Sequence, residues 1–425
     1  MLFPTSSFMP VLANTPPLAS APRILLCSAW QVVNIGDIAH TPGALALLEH
    51  YLPGSEVTLW AFNPLTPVAR ALVLRRFPFL QIVEGQLDAS GTPTDPATLA
   101  AIDRSDFFLH GSGPATLGWA HADAFVRRTG RPFGVFGVTY GLYGMPEKAT
   151  LSRARFVFFR DSVSLARAAA EGVQAPRMEW APDTAFATDL ADDARATAFL
   201  SSHGLEDGQF LCCISRYRLT PFWLMPGKSV PFNAAHHARN EEKKVADHAP
   251  LLEAIIAVAR ETSLKILLCP EDESQVAVTR EMLLERLPAD VLPRVVWRDT
   301  FWLPDEALSV YRRSAGLFGH EQHSPIICIG SGIPAIVCRW AEQSTKGIMW
   351  RDIGLGEWLF DLDRPEECAD IAPAVLAIAR DPTAAFAKAA RASTFVRESF
   401  GKTFAIVAAE AASAAASTIP NTICA

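Results

Sequence analysis

The chain has 425 residues, a formal net charge of −7 at pH 7 and an isoelectric point of about 5.8. This length exceeds that of an ordinary single domain and fits two domains of roughly 150–200 residues each. An acidic chain without a basic stripe does not fit a nucleic-acid-binding protein. No apolar run reaches the ~18 residues of a membrane-spanning helix, so we expect no membrane span.

The N-terminal segment and the cysteines bear on the compartment. Residues 1–22 carry no positive charge and are interrupted by prolines, so we expect a disordered leader rather than a signal peptide. The 8 cysteines form no Cys-x-x-Cys pair. We expect buried, reduced thiols rather than a disulfide framework or a zinc site. Together these features predict a cytoplasmic protein.

Strand-like and helix-like segments alternate along the first half of the chain. Short apolar segments predict strands, and the segments between them predict amphipathic helices. The predicted strands are residues 23–28, 56–61, 106–113, 133–138 and 154–161, and the predicted helices are 42–52, 67–77 and 163–170. This alternation is typical of a parallel sheet with helices on both faces.

The same pattern begins again after a polar helical segment at residues 188–208. The second set of strands is predicted at 209–218, 265–272, 294–299, 315–323 and 335–340, with helices at 244–262, 275–287, 305–314 and 367–381 and a helical tail from 383. We therefore predict an α/β protein with two Rossmann-like domains, residues 23–195 and 205–385, facing a central cleft. Residues 386–425 form a C-terminal helical tail. Ligands of such sheets bind beyond the carboxyl ends of the strands.

Polar residues follow the first predicted strand in the segment NIGD. Asn34 and Asp37 either cap a helix beginning near Pro42, or Gly36 lets backbone amides approach a ligand phosphate at the start of that helix. The segment is not the Gly-x-Gly-x-x-Gly fingerprint of dinucleotide-binding domains.

Further polar groups follow later strands of the first half. Gly111 and Gly113 serve either a tight turn or contact with a ligand. Arg160 either pairs with Asp161 at the start of a helix or binds an anion in the cleft. Asp183 lies in a turn or at the boundary between the domains.

Two arginines end the first strand of the second half. Arg216 and Arg218 are either solvated or bind a carboxylate or phosphate, for which the guanidinium fork is suited. Residues 219–248 are predicted to form a long loop of the kind that covers binding sites. Phe222 and Trp223 in this loop are candidates for stacking on a sugar ring.

The segment HEQH places three ionisable groups before an apolar helix predicted to start near Pro325. The spacing of His320 and His323, without a third ligand, does not fit a zinc site, and we expect no metal. Glu321 either caps the helix or takes part in a site. We favour a site in which an anion lies at the helix N-terminus and His323 supplies a proton or a charge.

The order of these motifs resembles that of the polysaccharide pyruvyl transferases over residues 23–380. The matching segments are residues 34–37, 110–113, 160–162, 182–186, 323–334 and 346–347. The resemblance implies a fold similar to that of GT-B glycosyltransferases. It also implies transfer of a pyruvyl group from phosphoenolpyruvate to a sugar or glycan acceptor in exopolysaccharide or cell-envelope biosynthesis, giving a ketal. No cofactor other than this donor is expected.

The implied chemistry assigns roles to individual residues. Ketal formation requires a general acid and a general base, and we predict His323 as the acid. Lys346 and Arg216 hold the donor, and Asp37 or Asp183 orients the acceptor hydroxyls.

One position departs from the family pattern. Glu321 stands two residues before His323, where the family usually has arginine. Arg216, Arg218 or Lys346 takes over the missing positive charge, or the donor differs.

The predicted site therefore has two catalytic residues, His323 and Asp37. The predicted substrate-binding residues are Asn34, Gly36, Gly111, Gly113, Arg160, Asp183, Arg216, Arg218, His320, Glu321 and Lys346. Two alternatives remain open at this point. The first is a nucleotide-sugar glycosyltransferase of the same architecture, and the second is a non-catalytic glycan-binding relative.

Overall fold

The computed structural model describes residues 21–28, 34–61, 63–141, 147–225, 228 and 230–418. The predicted leader lies almost entirely outside these residues. The fold class is confirmed, because the described chain forms two α/β halves, each built around its own parallel sheet.

Seven parallel strands form the sheet of the first half. They are β1 (Arg23–Cys27), β2 (Glu56–Trp60), β3 (Gln81–Val83), β4 (Phe107–His110), β5 (Phe133–Val138), β6 (Val157–Phe159) and β7 (Met178–Trp180). Their spatial order is β3-β2-β1-β4-β5-β6-β7. The helices are α1 (Ile35–Tyr51), α2 (Pro67–Arg76), α3 (Pro96–Arg104), α4 (Trp119–Thr129), α5 (Glu147–Leu151) and α6 (Ser162–Ala170).

Six parallel strands form the sheet of the second half. They are β8 (Phe210–Ile214), β9 (Lys265–Leu268), β10 (Val295–Trp297), β11 (Gly316–Gly319), β12 (Ala335–Arg339) and β13 (Leu359–Asp361), in the order β10-β9-β8-β11-β12-β13. The helices are α7 (Asp193–Ser202), α8 (Ala234–Glu261), α9 (Gln275–Met282), α10 (Pro304–Tyr311), α11 (His323–Gly330), α12 (Met349–Asp352), α13 (Pro365–Arg380) and α14 (Pro382–Thr418).

The strand order reverses once in each sheet, between β1 and β4 and between β8 and β11. The central strands β1, β4, β5, β8 and β11 are buried along nearly their whole length, as is typical of parallel sheets covered on both faces. At such a reversal the connections leave in opposite directions and open a crevice at the carboxyl ends of the strands. The two crevices are therefore where a binding site is expected.

Every predicted strand is present, and three further strands, β3, β7 and β13, lie at sheet edges and have three residues each. Two helix starts were predicted wrongly. The helix expected near Pro42 begins at Ile35, because the side chain of Asn34 caps its first turn. Helix α8 begins at Ala234 rather than near residue 244, with Asn233 as its cap.

The start of α8 shortens the predicted loop at residues 219–248. The charged residues of that segment belong to the first turns of α8, where oppositely charged side chains one turn apart pair and stabilise the helix. Arg239 pairs with Glu242 at 3.1 Å and Lys244 pairs with Glu241 at 2.7 Å.

The C-terminal helix α14 crosses from the second half back to the first. The ring of Phe404 packs on Tyr51 and Phe136 of the first half, with centroids 5.6 and 4.9 Å apart. Nearer its start, the Ser393 hydroxyl donates to the carbonyl oxygen of Gly330 in α11 at 3.0 Å. One apolar core accordingly runs through both sheets and α14.

The described cysteines are unpaired, and six of the seven are buried, as expected of small apolar side chains. Across the described ranges, no helix is both long enough and apolar enough to pass through a bilayer.

Candidate active site

The N-terminus of α11 lies against the first turn of α1, so the two halves meet at the crevice of the second sheet. A Cβ atom at Gly36 would overlap the ring of His323. At the other end of α11, a Cβ atom at Gly330 would overlap the carbonyl group of Phe186 in the first half. Glycine is favoured at both positions, because an added Cβ would displace the His323 ring at Gly36 and the Phe186 backbone at Gly330.

The substitution Gly36→Ala is expected to displace the His323 ring and to lower the unfolding free energy by about 1–3 kcal/mol, the usual cost of overpacking. Thermal unfolding measures this effect. The matched control is Gly401→Ala in α14, where the nearest atom to an added Cβ is 3.7 Å away. That change should stabilise the helix by up to ~1 kcal/mol. Equal effects of the two substitutions would contradict the close contact.

The first turn of α1 leaves no amide free for a phosphate. The Asn34 side chain accepts hydrogen bonds from the amides of Gly36 at 2.8 Å and Asp37 at 3.4 Å. The Ile35 amide donates to the carbonyl oxygen of Glu271 in the second half at 3.0 Å. Of the two interpretations of this segment, helix capping therefore holds for Asn34, and the glycine serves the helix contact.

A glutamate occupies the N-terminus of α11. Glu271 accepts a hydrogen bond from the Ser324 amide at 2.7 Å, and its other oxygen lies 3.2 Å from Nδ1 of His323. An anion was expected at this helix terminus, and the anion present is a side chain of the protein itself. Glu271 also fixes the imidazole, because its carboxylate favours a proton on Nδ1 and leaves Nε2 as the acceptor.

A second buried group surrounds Asp183. Arg160 donates to Asp183 at 2.8 Å and to the Thr139 hydroxyl at 2.7 Å, and Nε2 of His40 lies 3.3 Å from the same carboxylate. Burial by itself raises the pKa of Asp183, but His40, Arg160 and Lys346 together hold this pKa well below its usual value. The predicted pairing of Arg160 with the adjacent aspartate is replaced by this longer-range ion pair.

Lys346 is a buried cation whose ammonium group has no hydrogen-bond or ion-pair partner among the described residues, although its side chain is nearly excluded from solvent. Burial, and then the charge of Arg160, lower the pKa of Lys346 to about 8. Asp37 and Asp183 act electrostatically on the same ammonium group. A buried cation held among these groups is suited to bind an anionic ligand.

Asp37 lies in the first turn of α1 and is partly buried. Its carboxylate has no hydrogen-bond or ion-pair partner among the residues that the structure describes, and it acts electrostatically on His323 and Lys346. It is therefore available to accept a hydrogen bond from a ligand hydroxyl.

The crevice of the second sheet holds Arg216 and Glu321. The Arg216 guanidinium donates to Glu321 at 2.9 Å and to the Thr220 hydroxyl at 2.7 Å. The Gln275 amide donates to the same oxygen of Glu321 at 2.7 Å and to Asp272 at 3.2 Å. Arg216, which was expected to bind the donor, thus already donates one hydrogen bond to Glu321.

The ionisable groups of the crevice titrate far from their usual ranges. Burial, and then Lys346, lower the pKa of His323 well below 6.5, so its imidazole is neutral at pH 7. Burial raises the pKa of Glu321 to about 8, against the opposing effect of Arg216. Burial and the Glu321 charge likewise raise the pKa of Asp272 to about 7. The predicted role of His323 as general acid does not fit its neutral state, which suits a general base.

One set of side chains has the composition of a metal site. Ligand atoms of Glu271, Glu321 and His323 lie within 4.8 Å of one another. However, the Glu271 carboxylate already accepts a hydrogen bond from the Ser324 amide, and the Glu321 carboxyl group accepts one from Arg216. The arginine also places a positive charge beside this set. The surroundings therefore favour protons over a cation.

Two predicted substrate-binding residues are engaged elsewhere, contrary to expectation. The Arg218 guanidinium forms two hydrogen bonds of 2.8 Å with Asp247 and pairs with Glu342 and Asp363. The ring of His320 is fully buried, and its Nε2 lies 3.0 Å from the carbonyl oxygen of Asp247. Neither side chain is free to bind a substrate, and both support the backbone that carries Arg216.

The glycines after β4 extend the first sheet. The Gly111 amide donates to the Cys27 carbonyl at 2.7 Å, and Gly113 pairs with Val138 in a parallel bridge. Between them, the Ser112 hydroxyl accepts from the Thr184 amide at 2.9 Å. Both glycines therefore continue the strand pairing beyond β4 rather than forming a tight turn, and the Ser112 hydroxyl supports the turn that carries Asp183.

Sequence analysis missed His40 and Glu271. His40 was not considered because its helix was predicted to start two residues after it. Glu271 lies in the segment PED at the end of the strand predicted at 265–272. That position was the only feature of the sequence that pointed to a role for it. Nothing in the sequence pattern indicated a role for Gln275.

Comparisons with known proteins agree with this architecture. A model of the polysaccharide pyruvyl transferase family matches residues 34–342. No curated protein sequence matches the chain.

Solved structures show the same fold at low sequence identity. HepE of Anabaena, in complex with UDP-glucose, is 13% identical with a TM-score of 0.54, covering 93% of this chain and 99% of its own. The trehalose 6-phosphate synthase of Burkholderia multivorans is 10% identical with a TM-score of 0.53, covering 94% and 98%. The UDP-GlcNAc 2-epimerase of Methanocaldococcus jannaschii is 11% identical with a TM-score of 0.51, covering 83% and 92%. These likenesses place the chain among GT-B folds.

Proposed function

This chain belongs to the polysaccharide pyruvyl transferase family, and we propose that it moves the pyruvyl group of phosphoenolpyruvate onto two hydroxyls of a sugar, forming a cyclic ketal. The observation that carries this proposal is the buried ammonium of Lys346, which has no hydrogen-bond or ion-pair partner among the described residues and acts electrostatically on the neutral imidazole of His323. An anionic donor supplies the missing counter-charge, and the imidazole accepts the proton of an attacking hydroxyl.

The donor brings a carboxylate and a phosphate, so it requires at least two positive groups. Lys346 is the first. Arg216 is the second, because its guanidinium remains positively charged while its partner Glu321 is protonated. The charge of Arg160 is neutralised by Asp183. Arg160 therefore acts on the donor through its electrostatic effect on Lys346 rather than by direct contact.

The acceptor sugar is placed on the side of α1. Asp37 orients one of its hydroxyls by accepting a hydrogen bond, and Nε2 of His323 removes the proton of the attacking hydroxyl. The scheme uses no cofactor other than the donor. The acceptor belongs to a polysaccharide or a glycan precursor, and the reaction takes place in the cytoplasm, where phosphoenolpyruvate is made.

A second candidate is transfer of a sugar from a nucleotide sugar. It is favoured by Glu321, which stands where the family usually has arginine and pairs with Arg216 at 2.9 Å. The common fold with HepE, whose structure contains UDP-glucose, is compatible with such a donor.

Phosphate release from phosphoenolpyruvate, measured with a panel of acceptor glycans, tests the proposal. Acceptor-dependent release together with thermal stabilisation by phosphoenolpyruvate is the expected result. Stabilisation by UDP-glucose without phosphate release would instead support glycosyl transfer. Stabilisation by a glycan alone, without release or donor binding, would support a binding protein and overturn the proposal.

A further inference from the structure

Two glutamates meet in the crevice of the second sheet with almost no access to water. The side chain of Glu271 is 0% exposed and that of Glu321 is 3% exposed. One carboxylate oxygen of each lies within 4.8 Å of the other. Two buried carboxylates so close together repel each other strongly, and the usual outcome is that one proton is shared between them.

The hydrogen bonds indicate which group carries the proton. Both oxygens of Glu271 face donors, namely the Ser324 amide at 2.7 Å and the His323 ring at 3.2 Å. One oxygen of Glu321 accepts from Arg216 and Gln275. The second is within only 3.4 Å of its nearest donor, the Gln322 amide. This weakly bonded oxygen is the natural place for the proton.

Charged groups surround the pair on all sides. Arg216 follows β8, Asp272 follows β9, and Lys346 approaches from the segment after β12. Glu321 and Asp272 repel each other, which strengthens the tendency to keep a proton, whereas the two cations weaken it. The pKa of Glu321, about 8 as a result of burial, is consistent with a carboxylic acid at pH 7.

We propose that Glu321 is the general acid of the reaction, holding the proton that the nearby Glu271 carboxylate keeps on it and delivering it to the donor carbon that becomes the methyl group. This inference rests on the proposed pyruvyl transfer. It assigns a catalytic function to the residue that replaces the family's arginine.

The protons of the reaction balance when Glu321 acts as the acid and His323 as the base. In the first step the double bond of phosphoenolpyruvate takes the proton of Glu321 at C3. The acceptor oxygen bonds to C2, and His323 takes the hydroxyl proton. In the second step the C2–O bond to phosphate breaks, and phosphate leaves with the electron pair and the imidazolium proton. The second hydroxyl then bonds to C2 and returns its proton to Glu321. Both groups end as they began.

The test compares Glu321→Gln with wild-type protein. The amide keeps the shape and the hydrogen bond to Arg216 but has no acidic proton. We expect kcat to fall by about 10²–10⁴-fold, the usual contribution of a general acid, with unchanged affinity for phosphoenolpyruvate. In the wild type, kcat should fall as pH rises through about 8. The matched control is Glu366→Gln, at an exposed position in α13, and should leave kcat unchanged.

A direct readout separates this inference from the proposed function. With ¹³C-labelled glutamate, one carboxyl resonance should titrate near pH 8, disappear in Glu321→Gln and move to lower pH in Glu271→Gln. Absence of any glutamate titrating above pH 6 would overturn the proposal, as would normal kcat in Glu321→Gln. Selective broadening of these resonances by Mn²⁺ at micromolar concentration would show that the pair holds a metal instead. A wild type that titrates as expected but releases no phosphate would refute pyruvyl transfer, and with it the catalytic role of Glu321, while the protonated state of the glutamate would stand.

Discussion

Replacing Lys346 with methionine is expected to weaken binding of phosphoenolpyruvate by roughly 100-fold, because loss of one partner of a buried charge pair costs about 2–5 kcal/mol. Its ammonium is buried and has no hydrogen-bond or ion-pair partner in the described chain, so it is free to pair with the donor. Isothermal titration with phosphoenolpyruvate measures the loss. Lys402→Met, on the exposed face of α14, is the matched control and should bind normally.

The same substitution should increase stability, which distinguishes a functional lysine from a structural one. The pKa of Lys346, lowered by burial to about 8, lies below its value of 10.5 in the unfolded chain. Between these pH values the unfolded state binds more protons, so the stability of the wild type rises with pH there. This rise should be absent from Lys346→Met. A variant that is less stable but binds phosphoenolpyruvate normally would contradict the assignment.

Replacing His323 with glutamine is expected to reduce kcat by about 10²–10⁴-fold, since a general base typically contributes that much. Glutamine preserves a hydrogen bond to Glu271 and close to the original volume, so the contact with Gly36 and the affinity for the donor should be retained. Steady-state phosphate release with an accepted glycan measures kcat. His236→Gln, at an exposed position of α8, serves as the control.

The pH profile provides an independent test of the base assignment. Because burial holds the pKa of His323 well below 6.5, kcat should not decline on acidification until the pH is far below neutral. If His323 were an acid, activity would instead be small at pH 7 and would increase as the pH falls. Such an increase would restore the role that the sequence alone suggested.

Prediction from sequence succeeded where the information is local. The strands β5 and β8 are apolar runs bounded by polar residues, so their positions and the polar groups at their ends follow from periodicity. Arg216, Glu321 and His323 were therefore placed at strand ends correctly. The edge strands β3, β7 and β13 contain three residues each, too few to show a period.

The parts that sequence analysis missed depend on contacts between segments far apart in the chain. Glu271 is important because Ser324 and His323 come to it from another strand end, and His40 because Asp183 comes to it from 143 positions away in the chain. The protonation states of His323 and Glu321 also could not be predicted from sequence, since burial is the main cause of both pKa shifts. A sequence shows which groups can ionise but not how much water surrounds them.

Helix α14 is synthesised after both sheets, although it completes the packing of the first half. The aromatic side chains Phe400 and Phe404 cover Phe136 and Tyr51 of the first half, yet they leave the ribosome only after the entire second sheet. The apolar side chains of the first half that α14 covers therefore stay exposed until α14 has been synthesised. Such exposed surface is where nascent chains aggregate or engage chaperones. Completion of the first sheet therefore does not complete the packing of the first half, which requires α14 as well.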